Sequence, residues 1–432
     1  MAAEKIVLTP VGAFEGSIRP PGSKSITNRA LVCAALGAGE SILNNALFSE
    51  DTEVMISCLQ RLGITVEPAQ AEKTIRVVGG GGKIPASSAE LYTANSGTTM
   101  RFLTAMVALG RGVYRLDGNP RMRERPIEDL LTALRALGVE AFSEKGDGCP
   151  PVVVRSTGEF GGDSEVSGEI SSQFLSGLLM AMPCAPRPVT VRVRGRLVSR
   201  PYVEMTLAVM EAFGIRLERE DLVRFSTPGR QKYTARPYWI EPDASAASYF
   251  FGAAAVTGGK VTVEGLGRYS LQGDVQFCHC LEQMGCKVTW GTEQITVCGG
   301  KLRGIDVDMN AISDTVPTLG VVALFAEGPT TIRGVAHIRH KETDRIAALA
   351  AELSKMGAEV EEFPDGLRIV PREPHPAEIE TYNDHRMAMS FSLAALKVPG
   401  VIIRDPACTA KTYPEFFHDL STLTGTKWQV IS

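Results

Sequence analysis

Cations recur beside small polar residues at several helix-start positions along this chain. Lys24, Ser25 and Arg29 fall together in Pro21-Gly-Ser-Lys-Ser-Ile-Thr-Asn-Arg29, with Ser25 and Arg29 one helical turn apart. Gly97 and Arg101 repeat that spacing in Asn95-Ser-Gly-Thr-Thr-Met-Arg101, and Lys341, Glu342 and Arg345 cluster again. His385-Arg386 and Lys411 add further cations. A helix N-terminus presents unpaired N–H groups and a partial positive charge, so it is a ready anion site. Helix capping accounts for the Ser, Thr, Asn and Asp residues, but not for cations at the ends of otherwise apolar helices. The pattern points to small anionic molecules carrying phosphate and carboxylate groups, handled by fixed cations with acid and base chemistry.

Simpler motifs fail. Gly79–Gly82 follows a strand pattern but runs into Lys-Ile-Pro with no helix opening, which reads as a turn. Gly22-Ser-Lys-Ser lacks the Gly-Lys register and the upstream glycine of a P-loop, and there is no G-x-S-x-G or H-E-x-x-H. No dense acidic cluster is spaced to hold Mg²⁺ against phosphates, which disfavours transfer from ATP.

The elements that must position these groups come in a sixfold repeat. An apolar helix closing on glycine and followed by a β-like run ends at Gly63, Gly138, Gly214, Gly285, Gly357 and Gly425, in steps of 75, 76, 71, 72 and 68 residues. Asp51, Pro126, Pro201, Asp274, Asp344 and Pro414 stand 11 to 13 residues upstream as helix-opening residues. Between them fall six more helices, roughly 24–38, 96–110, 171–183, 244–257, 312–327 and 384–397, apolar almost all round and therefore expected to be buried. Runs such as Ile75-Arg-Val-Val and Gln294-Ile-Thr-Val read as strands, so each unit is a β-α-β-α-β-β element. Six units exceed one core, and Pro237-Tyr-Trp-Ile-Glu-Pro242 interrupts the helical pattern. The expectation is two domains of three units each, 22–240 and 241–432, with residues 1–21 assigned to the second.

Composition bounds the rest. The 432 residues carry 45 Lys plus Arg against 49 Asp plus Glu, a formal net charge of −4, which excludes a general polyanion binder. Nine cysteines lie scattered without a C-x-x-C pair, and Cys278-His279-Cys280 sits in helical pattern, where i and i+2 point apart. Free thiols in a reducing cytoplasm fit that usage. No run reaches the roughly 18 apolar residues of a membrane span.

Eight motifs in order, over essentially the whole length, resemble the EPSP synthase family of enolpyruvyl transferases. They are Pro21–Arg29, Asn95–Arg101, Pro120-Arg-Met-Arg-Glu-Arg-Pro126, Ser171-Ser-Gln-Phe, Ser199-Arg-Pro-Tyr202, Lys341-Glu-Thr-Asp-Arg345, Asn383-Asp-His-Arg386 and Cys408-Thr-Ala-Lys411. The resemblance implies an α/β fold of two similar domains, each an inside-out barrel of three β-α-β-α-β-β units with buried helices, and a ligand cleft between the domains. It implies transfer of the enolpyruvyl group of phosphoenolpyruvate to the 5-hydroxyl of shikimate 3-phosphate, with no cofactor and no metal, in a cytoplasmic monomer. Lys24, Ser25, Arg29, Ser171, Ser172, Gln173, Ser199, Asp314, His337 and Lys341 would then hold shikimate 3-phosphate. Lys24, Gly97, Arg121, Gln173, Arg345, Arg386 and Lys411 would hold phosphoenolpyruvate. The catalytic set would be Asp314 as base at the 5-hydroxyl, Glu342 as proton donor to the methylene carbon, and Lys24.

Two positions depart from the family pattern: Phe102 stands where a proline is common, and His337 where an asparagine is common. Gly97-Thr98 resembles the glyphosate-sensitive type, because a side chain at 97 would crowd a ligand of that size. The sister enzyme with a UDP-N-acetylglucosamine acceptor carries a cysteine-bearing loop near residue 115, whereas Leu116-Asp-Gly-Asn-Pro120 is short and free of cysteine. A non-catalytic anion scaffold would keep the cations but would need neither Asp314 nor Glu342.

Overall fold

Two sets of helices alternate along the chain, and their ends tell them apart. A computed structural model describes residues 4–431. The outer helices are Glu50–Arg61, Glu128–Ala136, Arg200–Ala212, Phe277–Met284, Arg345–Lys355 and Phe416–Thr424. Each ends within two residues of one of the six repeat glycines, all with φ between 77° and 109°. That left-handed conformation closes a helix and strains any residue with a Cβ. The inner helices are α1 (Lys24–Leu36), α2 (Gly97–Met106), α3 (Ser172–Ala181), α4 (Ala244–Thr257), α5 (Val316–Ala323) and α6 (His385–Ala395). They are buried along nearly their whole length, as an apolar circumference requires.

The chain divides into two compact units, one from Gly22 to Glu241 and one combining the chain up to Pro21 with the chain from Pro242. In the first, α1 packs on α2 and α2 on α3, and one apolar core joins them to three sheets. In the second, α4, α5 and α6 pack on one another over a core of their own, again with three sheets. The six sheets are separate, of four or five strands each, and the described residues do not link them into a closed barrel.

The middle repeat of the first unit shows the construction. Strand Ser88–Tyr92 leads through α2 to a parallel neighbour, Arg111–Asp117. The outer helix Glu128–Ala136 then leads to the hairpin Glu140–Ser143 and Val152–Thr157, which pairs antiparallel beside it. Where a repeat lacks one of its strands, a distant segment supplies it. Glu15–Ile18 lies parallel to Lys260–Glu264, and Lys5–Leu8 pairs with Ile402–Arg404 and Trp428–Ile431. Pro237–Trp239 lies parallel to Ile42–Asn44.

Two local readings change. The helix expected over 312–327 is broken: Asn310–Thr315 is a 3-10 turn with Ile312 out of helical geometry, and α5 begins at Val316. Pro317 has no N–H for an upstream carbonyl and its ring crowds the preceding turn, so a continuous helix is not available there. Of the four-glycine run, Gly79 and Gly80 still belong to strand Thr74–Gly80, and only Gly81 and Gly82 turn with positive φ.

Candidate active site

In the unit from Pro242, one guanidinium ties three carboxylates together. Arg345 is the first residue of its helix, capped by the Asp344 side chain, which accepts from Ala347 N. It donates from Nη1 to Asp314 Oδ1 at 3.2 Å and from Nη2 to Glu342 Oε2 at 2.7 Å. It also donates from Nε to Asp384 Oδ2 at 2.8 Å. Arg345, Glu342 and Asp384 are buried, so each charge depends on these partners for its solvation. The three acids hold Arg345 above the ordinary arginine range even though burial works the other way.

Asp314 receives two more cations, Lys341 Nζ at 3.2 Å and Arg386 Nη2 at 2.8 Å. Lys411 Nζ stands 4.0 Å from Glu342 Oε1. With all seven ionised, Lys341, Arg345, Arg386 and Lys411 against Asp314, Glu342 and Asp384 carry one net positive charge, and protonation of Glu342 would raise it to two. Asp384 has two tasks, since it also caps α6 by accepting from Arg386 N at 2.9 Å. Burial, and then Arg345, lower Lys341 from the usual lysine value, while Asp314 acts against both.

The two histidines here are not cations. Burial, then Lys341, pushes His337 down to about 3. Burial, then Arg386, holds His385 well below its ordinary value. A buried imidazole among cations loses its proton, so the sequence-level count of His385 among the charges is corrected: it is neutral at pH 7.

In the unit from Gly22 to Glu241, the inner helices open on serine caps. Ser23, Ser96 and Ser171 cap α1, α2 and α3, and none of the three has an acid in its first turn. The outer helices Glu50–Arg61 and Glu128–Ala136 do carry acids there, which use up the positive helix end internally. Lys24 lies at the start of α1, 3.4 Å from Asp51 Oδ2. Arg29, one turn on, is fully buried, donating from Nε to Thr206 Oγ1 at 2.7 Å and to the carbonyls of Ser25 and Tyr202. Those acceptors are neutral, and burial pushes Arg29 down to about 10. Its guanidinium also lies 5.1 Å from the Phe102 ring centroid, so the unusual Phe102 serves as a cation–π partner.

Gly97, at the first position of α2, faces a cluster of side chains. A Cβ there would stand 2.7 Å from Arg125 Nη2, 3.1 Å from Arg101 Nη1 and 3.1 Å from Gln173 Oε1. Asn28 Nδ2 donates to Thr98 Oγ1 at 2.7 Å, tying α1 to this turn. Ser172 is buried at the start of α3, and Ser171 accepts from Gln173 N at 3.2 Å. Ser199, with φ of 52°, begins the Arg200–Ala212 helix.

The arginine beside Gly97 is Arg125, which the sequence reading did not choose. The reading chose Arg121, which pairs with Glu124 at 2.9 Å and has a side chain 32% exposed. Arg125 is buried and donates from Nη1 to Asn95 O at 3.0 Å and Asn95 Oδ1 at 3.1 Å. A signal was available. The residue before a proline is pushed out of the helical region, and Arg125, preceding Pro126, is extended at φ −87°, ψ 126°, whereas Arg121 is helical.

Fold and site together define an α/β enzyme for small anions, in which arginine and lysine are interlaced with acids able to move protons. The EPSP synthase (3-phosphoshikimate 1-carboxyvinyltransferase) family model matches residues 8–420, and the chain belongs to that family. The 3-phosphoshikimate 1-carboxyvinyltransferase of Nostoc punctiforme is 52% identical over 93% of this chain and 95% of that one. The Shewanella denitrificans protein of that name is 46% identical over 98% and 99%. Among solved structures, EPSP synthase from Acinetobacter baumannii superposes with a TM-score of 0.81 at 27% identity, covering 99% of this chain and 100% of that one. The enolpyruvyl transferase NikO from Streptomyces tendae shares the fold, with a TM-score of 0.80 at 20% identity, covering 100% and 99%.

Proposed function

We propose that this chain transfers the enolpyruvyl group of phosphoenolpyruvate to the 5-hydroxyl of shikimate 3-phosphate and releases inorganic phosphate. The observation that carries the reading is the Arg345 cluster, where two acids, Asp314 and Glu342, contact one guanidinium within a set of four cations. The names of its relatives, at about half identity over nearly full length, supply the substrates.

The reaction needs a proton delivered to the methylene carbon of the donor and a proton removed from the acceptor hydroxyl. The hydroxyl oxygen bonds to C2 of the donor, giving a tetrahedral ketal phosphate. Loss of a methyl proton and cleavage of the C–O bond to phosphate then restore the double bond. Two groups that can exchange acid and base roles suffice. Glu342 supplies the first proton and Asp314 takes the second; Lys24 supports the charge that builds on the donor. Arg345, Arg386 and Lys411, with Gly97, Gln173 and Arg125, bind the donor's carboxylate and phosphate. Ser25, Arg29, Ser171, Ser172, Ser199, His337 and Lys341 bind the acceptor, sharing Lys24, Gln173 and Asp314. A neutral His337 can offer one ring N–H where an asparagine amide is common.

No described helix is long and apolar enough to cross a membrane; the free cysteines fit a reducing cytoplasm, and the reading as a monomer rests on the family resemblance. Phosphate release, followed with phosphoenolpyruvate and either shikimate 3-phosphate or UDP-N-acetylglucosamine, tests the proposal. Release with the first acceptor only is expected; release with the second only overturns it.

A further inference from the structure

Glu352 lies outside the reaction chemistry, yet its carboxylate is fully buried and heavily bonded. Oε1 accepts from the Tyr382 hydroxyl at 2.7 Å, Oε2 accepts from the Glu380 backbone N at 3.1 Å, and both oxygens accept from Lys355 Nζ, at 2.9 and 2.8 Å. A buried carboxylate persists only where such donors replace water. Two of the three donors belong to the short segment that leads into α6.

That segment is held in an unfavourable conformation. Tyr382 and Asn383 are consecutive non-glycine residues with φ of 54° and 51°. Left-handed backbone at two adjacent side-chain-bearing residues survives only when surrounding contacts impose it, and such strain gathers where position matters. The turn closes with Asp384 N donating to Thr381 O at 2.8 Å, and the chain then delivers Asp384, His385 and Arg386.

The helix that carries Glu352 begins at Arg345, which binds Asp384 at the far end of the same segment. Positions 345 and 352 are seven apart, two helical turns, so they share one face. A single helix therefore grips residues 380–384 at two points: Glu352 takes Glu380 and Tyr382, and Arg345 takes Asp384.

We propose that Glu352, with the Tyr382 hydroxyl, is a positioning pair that imposes the left-handed turn and thereby sets Asp384 and Arg386 for the donor anion. The assignment of Arg386 to the donor rests on the function proposed above. Neither Glu352 nor Tyr382 touches substrate in this account; both act through the turn.

Tyr382→Phe removes a single hydroxyl from a partly exposed ring, and Glu352→Gln removes the buried charge. Steady-state kinetics with each substrate varied, calorimetric binding of shikimate 3-phosphate alone, and amide exchange over 380–388 separate the outcomes. The expected result is a KM for phosphoenolpyruvate raised about 3- to 10-fold in Tyr382→Phe and more in Glu352→Gln. Shikimate 3-phosphate affinity should stay within about twofold. Exchange protection over 380–388 should fall in both variants, while α5 remains protected. The loss in the double variant should fall short of the sum of the two single losses, because both substitutions act on the same contact. Asn383→Gly in the Glu352→Gln background should recover part of the loss, since glycine adopts positive φ without strain.

A lowered Tm with unchanged KM values and unchanged protection would overturn the proposal, as would failure of Asn383→Gly to rescue. A wild-type protein that does not turn over the two substrates would instead overturn the proposed function. The exchange experiment, which needs no substrate, would then still decide whether Glu352 orders the turn.

Discussion

Asp314 and Glu342 differ in their company, and that difference predicts how each variant fails. Asp314 accepts from three cations, whereas Glu342 accepts from Arg345 with Lys411 at the edge of contact. Glu342→Gln keeps its size and hydrogen-bonding ability but cannot supply a proton, so it should bind both substrates and slow turnover by roughly 10²–10⁴-fold. Asp314→Asn should slow turnover similarly, by failing to take the hydroxyl proton. Deuterium exchange into the donor methylene separates them: Glu342→Gln exchanging as fast as wild type, with acceptor bound, would exclude it as the proton donor. Gly97→Ala tests the other cluster. The added Cβ would meet the guanidinium end of Arg125 at 2.7 Å rather than backbone, so the arginine shifts and the helix stays. The KM for phosphoenolpyruvate should rise roughly tenfold, about 1.4 kcal/mol, with acceptor affinity unchanged in calorimetry. An equal loss for both ligands would count against placing the donor at Gly97.

The element that repeats most faithfully is the outer helix with its closing glycine. Gly138 and Gly425 isolate its conformational role. A Cβ on Gly138 would meet nothing nearer than 3.8 Å and one on Gly425 nothing within 4 Å, yet φ is 92° and 77°. Alanine at either should cost about 1–2 kcal/mol in denaturant unfolding through backbone strain alone, with catalytic constants unaltered. A neutral result would mean that the turn relaxes to negative φ. The inner helices carry function for the same reason that they are hard to read: their circumference is apolar, so the chemistry is confined to their first turns. The break at Ile312 puts Asp314 on a 3-10 turn, two residues short of α5, and there it meets Arg345 and Arg386.

At the scale of the whole molecule, two features are testable. The unit from Pro242 borrows strands Lys5–Leu8 and Glu15–Ile18, whose Ile6 and Leu8 are buried in its core. Residues 22–241 should therefore fold as an isolated fragment, whereas residues 242–432 without the first 21 should not, as read by near-ultraviolet circular dichroism and cooperative unfolding. The second feature is the response to acid. His337 and His385 are both neutral and buried, with folded-state values below the unfolded value near 6.5. Below about pH 6.5 the unfolded chain binds protons that the folded chain refuses, so stability falls as pH drops. Each such histidine contributes up to ~1.4 kcal/mol per pH unit, and for His337 the loss continues until about pH 3. His337→Asn should flatten the stability profile between pH 6.5 and 4; an unchanged slope would show that His337 does not remain neutral in the fold.

Features that depend on near neighbours along the chain were legible in the residues alone. Capping serines and aspartates, closing glycines and apolar circumference set the alternation of inner and outer helices, and the cations within those caps pointed to anionic ligands. Glu342 and Arg345 were legible because they stand three residues apart where a helix opens, close enough for the acid in the bend before the cap to reach the first helical residue. What required the tertiary structure was contact across long sequence separations. Arg345 meets Asp384 over 39 residues, and Arg386 meets Asp314 over 72. Arg125, rather than Arg121, turns toward Gly97, since a pre-proline residue and a helical residue four places earlier project differently. Glu352 gave no sequence signal at all: it reads as one more acid on an amphipathic helix. Only the packing of that helix against the turn before α6 shows that its charge is buried and its bonds are spent on two left-handed residues. Local rules fix a residue's conformation, but a buried charge takes its meaning from the groups that replace water around it, and those are gathered from the whole unit.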